Sequence, residues 1–230
     1  MSVFAGSSLY FGMLLSVGAY LFGMWLKKKT GLSLCNPLLV AIVAVILFLS
    51  MFRIEYGAYS RGADYLSYLL TPATVCLAIP LYRQLELLRR QAAAVAAAIL
   101  TGVAGSAASI YVMSLLFKLE HVYYVTLLPK SITTAIGMGV SEEAGGIVTL
   151  TVVSIIVTGI FGNVTADWLF SICRIEEPVA KGLALGTAAH AIGTSRALEL
   201  GEAEGAMSSL AIAVAGLVTV AAVPLVSGLI

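Results

Sequence analysis

The chain has 230 residues, of which 60% are hydrophobic and 11% charged, with a formal net charge of +1. A soluble domain carries about a quarter charged residues, so this chain cannot clothe a globule in polar surface and takes lipid as its solvent. The near-neutral balance leaves no basic stripe to neutralise phosphates, which excludes nucleic acid as a partner.

Apolar runs recur from end to end. Met1 to Gly6 lacks the positive region and small-residue cleavage site of a removable signal, so the first run, Val3 to Leu26, is expected to stay as a span. Lys27, Lys28 and Lys29 follow it and belong in the cytoplasm by the positive-inside rule. The next runs are Leu34 to Phe52, Tyr65 to Tyr82 and Ala92 to Phe117. The second half holds Val122 to Val140, Gly145 to Cys173, Gly182 to Ser195 and Ala206 to Ile230. Charge collects between them, as in Arg83 to Arg90 and Arg174 to Lys181. Long continuous runs rich in Ala and Leu predict helices rather than the short alternating strands of a barrel. The fold class expected is an all-α polytopic membrane protein. Asn36 before Pro37 reads as a helix cap followed by a first-turn proline.

The third run of each half is short and interrupted, by Pro72 and Pro80 in one and by Gly182, Gly186 and Gly193 in the other. Backbone groups freed at such breaks must be buried in protein or line a wet cavity. Sliding the chain by 113 residues lays run on run: Ala78 to Leu87 falls on Ala191 to Leu200 with six of ten pairs identical, Arg83/Arg196 and Glu86/Glu199 among them. Thr74 falls on Thr187 and Phe48 on Phe161. Two transmembrane repeats are expected, 1–117 and 118–230, each of four blocks with one broken or re-entrant helix. A third block that crosses makes the repeats parallel, and one that dips in and returns makes them inverted. Inversion is favoured, because two broken segments entering from opposite faces build one shared site, as in secondary transporters.

Lys130 stands about eight residues inside its run, roughly 12 Å from the nearer end at 1.5 Å per residue. An ammonium there costs about 3 kcal/mol unless paired or wetted. Snorkelling is the plain alternative. Ser131, Thr133 and Thr134 add hydroxyls, and Pro129 frees a carbonyl, so the cluster suits an oxyanion. His190, inside the second interrupted run, suits a carboxylate or a coupled proton, or else bonds a freed carbonyl as an ordinary buried imidazole. Gly193-Thr194-Ser195 and Thr71-Pro72-Ala73-Thr74 each read as the start of a half-helix whose positive end faces an anion. Arg83 and Arg196 read as anchors at the membrane edge, paired with Glu86 and Glu199. Ser195, His190 and Lys130 are residue types of an enzyme, but no spacing joins them, so none is expected. Cys35, Cys76 and Cys173 are odd in number and far apart, which points to no disulfide and no metal or cofactor.

Four ordered stretches resemble the LrgB/CidB family of bacterial membrane proteins, which also includes the C-terminal half of the plastid glycolate/glycerate translocator. They are Cys35 to Leu39, Leu69 to Gln84, Leu128 to Thr134 and Ala189 to Ala197. The family pattern has Gly before Pro72 and after His190, where this chain has Thr71 and Ala191. The resemblance implies a bacterial inner-membrane protein that works with a smaller LrgA-like membrane protein, a homodimer being open as well. It implies either a carrier of small monocarboxylates such as pyruvate or glycolate, or a holin/antiholin-like regulator of murein hydrolase export and autolysis. Repeats, paired breaks and intramembrane polar groups favour the carrier, working by alternating access.

Overall fold

The computed structural model describes residues 10–31, 36–69, 72, 75–76 and 78–230. Among the described residues the secondary structure is helical throughout, as the long apolar runs require. Two compact units divide at residue 76.

The first unit holds α1 (Phe11–Thr30), α2 (Pro37–Met51) and α3 (Tyr56–Ser67). The Asn36 side chain caps α2, accepting from the amides of Leu38 at 2.8 Å and Leu39 at 3.3 Å, with Pro37 in the first turn where its missing donor costs nothing. Gly12 of α1 lies against the Tyr59 carbonyl of α3, and Ser16 Oγ sits 2.8 Å from the Tyr59 hydroxyl. Small residues let these helices approach closely where no hydrophobic force draws them together in lipid.

The second unit begins with two short helices, α4 (Ala78–Arg83) and α5 (Leu85–Arg90), and continues into α6 (Ala92–Phe117). Pro80 therefore lies inside α4. Then come α7 (His121–Leu127), α8 (Thr134–Glu143), α9 (Val148–Ile172), α10 (Pro178–Leu200) and α11 (Glu202–Val226). Among the described residues three helical stretches are long and apolar enough to cross a membrane: Ala92–Phe117, Val148–Ile172 and Glu202–Leu229. Val95, Ile99 and Val103 of α6 pack with Val179 and Leu183 of α10 and with Ala206, Met207 and Ala211 of α11.

The run Val122 to Val140 is not one helix. It breaks between α7 and α8, where Pro129 has no amide to donate and residues 128–133 leave the helical ladder, Lys130 N turning to Leu127 O at 3.0 Å. A buried network holds the flanks of this break. Thr126 Oγ1 accepts from Ile147 N at 2.8 Å, and Thr151 Oγ1 reaches Thr126 O at 2.9 Å and Ser141 Oγ at 2.6 Å. These bonds lock α7, α8 and α9 together and give every hydroxyl a partner, as burial demands.

The second interruption falls at His190, between Gly186 and Gly193 and at neither of them. Its backbone adopts φ 42°, ψ −136°, a left-handed conformation that costs a bulky residue about 1–3 kcal/mol. The chain reverses there. A side chain on Gly193 would come within 2.5 Å of the Leu185 carbonyl oxygen and 2.7 Å of Ala189 Cβ, whereas eight residues of straight helix span about 12 Å. Gly182 lies against Glu204 and Gly186 against Ser208, so the first arm runs alongside α11 in the same direction. Past the turn Thr194 meets Ser208 and Leu198 meets Gly205, so the second arm runs back. The arms, residues 178–189 and 191–200, reach about 18 and 15 Å, each near half the thickness of a bilayer core.

Gly182 and Gly186 thus serve close packing, their faces touching the backbone of α11. Gly186→Ala, which pushes a methyl against the Ser208 carbonyl, should lower stability by about 1–3 kcal/mol. Gly139→Ala, with nothing within 4 Å, should leave it unchanged or higher. Thermal unfolding in detergent reads both, and equal melting of the Gly186 variant and wild type would contradict the packing described.

Candidate functional site

One cavity of about 870 Å³ reaches from the break at Pro129 to the end of the first arm of α10, just before the turn at His190. Its walls are α6 at Gly102, Gly105 and Ser106, and α9 at Thr158 and Gly162. Thr187 and Ala188, at the end of the first arm of α10, line it together with Lys130 and Ser131 from the α7–α8 break. Gly105 faces open space, whereas Gly102 and Gly162 let Thr187 and Ala189 of the α10 hairpin pack closely. A smaller cavity of about 20 Å³ adjoins it, sharing Ser106, Ser131 and Thr187 and adding Thr219 of α11.

Lys130 is half-buried, and its Nζ donates to Ser131 Oγ at 3.2 Å. Ser131 in turn lies 3.1 Å from Ser106 Oγ of α6. The ion pairs found among the described residues join Arg90 to Glu86 and Arg196 to Asp167 and Glu199, so none neutralises Lys130. Glu177 lines the same cavity but precedes α10, ten residues of helix from Thr187 and hence about 15 Å away along the arm. The lysine end of the cavity therefore carries one positive charge among hydroxyls and apolar groups, an arrangement that attracts a small anion.

His190 does not line the cavity. Its Nε2 donates to the Ile155 carbonyl of α9 at 2.9 Å, and the ring sits over Gly159, where a Cβ would come within 2.7 Å of it. With a carbonyl as obligate acceptor, the ring proton is on Nε2 in the neutral form. This bond staples the turn of the hairpin to α9. Asn163 Nδ2 adds a second tie to Ile192 O at 2.8 Å. Thr194 donates within its arm to His190 O at 3.0 Å and lies 2.7 Å from Ser208 Oγ of α11. Ser195 is exposed and donates to Ile192 O at 2.7 Å. His190 and Ser195 thus bond to separate backbone carbonyls and not to each other.

Thr133 stands immediately before α8 and Thr134 opens it, both half-buried and neither lining the cavities. Thr71 and Thr74 lie outside the described residues, and Pro72 is exposed. Arg196 bridges two elements, with Asp167 of α9 at 2.5 Å and Glu199 of its own arm at 2.6 Å. In the first half the matching Glu86 pairs with Arg90 at 2.6 Å, one helical turn on. Ser106 and Thr187 line the cavity beside Lys130, but isolated hydroxyls in apolar runs carry no sequence signal that separates them from ordinary packing. The repeat match of Thr74 with Thr187 was the one available cue.

The model of the LrgB-like family matches residues 16–229. The chain is 37% identical to the antiholin-like protein LrgB of Bacillus mycoides over 94% of both chains, and 36% identical to the protein of the same name from Bacillus subtilis over the same share. The Bacillus cereus relative is likewise 36% identical over 94% of each. No solved structure matches the chain.

Replacing Lys130 by Met removes a burial cost of about 3 kcal/mol. Lys130→Met should therefore melt at the wild-type temperature or above in detergent, and an upward shift expected for the wild type with a small carboxylate such as pyruvate or glycolate should be lost in it. Lys130→Arg should lose that shift too, since a planar fork does not replace a compact ammonium. Undiminished anion stabilisation in Lys130→Met would move the site away from this lysine.

Proposed function

Since the chain belongs to the LrgB-like family, we propose that it is a multi-pass protein of the bacterial inner membrane that carries small monocarboxylates of the pyruvate and glycolate kind by alternating access. The observation that carries this reading is a cavity lined by residues at or next to two helix breaks and holding a lysine with no carboxylate against it among the described residues. Transporters put substrates at interrupted helices because unwound backbone and half-helix ends supply polar groups inside the membrane without lipid-facing defects. The reversal at His190 supports inverted repeats. The 113-residue shift sets α6 against residues 205–230 and residues 78–90 against residues 191–203.

A second reading has its own support. The relatives are named antiholin-like proteins, and that name favours a part in restraining murein hydrolase export and autolysis more directly than it favours transport. Under either reading the partner proposed is a smaller LrgA-like membrane protein, and a homodimer is the other assembly considered.

Proteoliposomes containing the chain, with and without the LrgA-like partner, should take up labelled pyruvate, glycolate or lactate down a gradient. Absence of flux in both arrangements, with altered autolysis when the chain is expressed, would overturn the carrier and favour the antiholin-like role.

A further inference from the structure

Thr187 lines the same cavity as Lys130 with its buried hydroxyl unspent among the described residues. Three helical threonines of the second unit turn their hydroxyls back on their own helix: Thr101 to Ala97 O at 2.8 Å, Thr126 to Val122 O at 2.6 Å, Thr165 to Phe161 O at 2.8 Å. Thr101 and Thr165 line the large cavity, yet their protons are already committed. Thr187 is 7% exposed, and its Oγ1 has no hydrogen-bond partner among the described residues. Its methyl explains why: Cγ2 fills the notch left by Gly102 of α6, where a built Cβ would meet it at 2.5 Å. That contact fixes the side chain with its hydroxyl off the ladder. A buried hydroxyl left in this state is disfavoured unless something bonds it.

The position matters as much as the vacancy. Thr187 lines both cavities, as do Ser106 and Ser131, the pair that joins Lys130 to α6. The smaller cavity, about 20 Å³, has room for a single oxygen-sized group. A carboxylate against Lys130 and Ser131 would therefore place the substituent of its next carbon beside this small cavity and Thr187.

We propose that Thr187 is a substrate-binding residue that takes the oxygen on the carbon adjacent to the carboxylate, making the site selective for acids that carry one. This rests on the carrier reading above for its ligand. Thr187 stands three residues before the break at His190, so a small shift of the arm away from α6 brings the covered hydroxyl to the ligand. Binding then couples to the arm that must move. A site built to bond an oxygen rejects the analogue lacking it, because its own donor is left unpaired.

The test compares lactate with propionate, which differ by that hydroxyl, using the full chain in detergent for binding and in proteoliposomes for uptake. Wild type should bind lactate about tenfold more tightly, the worth of one well-made buried hydrogen bond. Thr187→Val should bring the ratio near one while leaving propionate binding unchanged, and Thr187→Ser should restore most of the preference. Should Thr187→Val fail to fold, Thr187→Ala removes the same donor with less bulk at Gly102. A preference that survives the loss of the hydroxyl, or equal binding of both acids by wild type, overturns the proposal. Selective binding of lactate without uptake of either acid would sink the carrier reading and keep Thr187 as the reader. No binding of either acid would overturn both.

Discussion

A peptide group in hydrocarbon must have a hydrogen-bond partner, since each unsatisfied one costs several kcal/mol. The second unit is organised around two places where the helical ladder stops inside an apolar stretch. At Pro129 the loosened turn is held by the Thr126–Ser141–Thr151 network on its flanks. At His190 the imidazole reaches the Ile155 carbonyl and Asn163 reaches Ile192. Both repairs are made by side chains that would otherwise be costly to bury. The breaks are tolerated because the surrounding helices supply partners, and residues at or next to both line one cavity.

The histidine is instructive because its chemistry is used in the fold. A positive φ at a bulky residue is a strained conformation, and the bond to Ile155 with the close seat on Gly159 holds it in place. The hairpin reversal, the close approach of both arms to α11, and the presentation of Thr187 and Ala188 to the cavity all depend on this turn. Lys130 is the complement: a charge in the Pro129 break whose Nζ donates to Ser131 Oγ. One residue holds the backbone and the other faces the cavity.

Much of this was legible in the sequence. The helical membrane character followed from the apolar runs, Asn36-Pro37 read correctly as a cap, and Lys130 stood out because an ammonium deep in an apolar run needs a reason. The place of the second break did not follow. Gly186 and Gly193 looked like interruptions, but in lipid a glycine serves as readily to let two backbones approach. Gly186 does this against Ser208, and Gly193 against the arm preceding it. Which use a glycine has depends on what packs on it. The break at Pro129 was hidden for a related reason: a proline inside a long apolar run is compatible with a continuous kinked helix until the neighbours that rescue its carbonyls are known. Thr187 was visible only as a repeat match, since an unpartnered hydroxyl is defined by its missing partner.

The central claim is that Lys130 meets a small carboxylate in the cavity between the two breaks. Solid-state NMR on protein labelled with ¹⁵N at lysine Nζ, reconstituted in bilayers with pyruvate labelled with ¹³C at its carboxylate, measures that contact through the dipolar coupling between the two nuclei. The account predicts a coupling that corresponds to about 3–4 Å, the reach of a charge-assisted hydrogen bond measured to the carbon, and its loss in Lys130→Met. No coupling at saturating pyruvate, or one that persists in Lys130→Met, would contradict it.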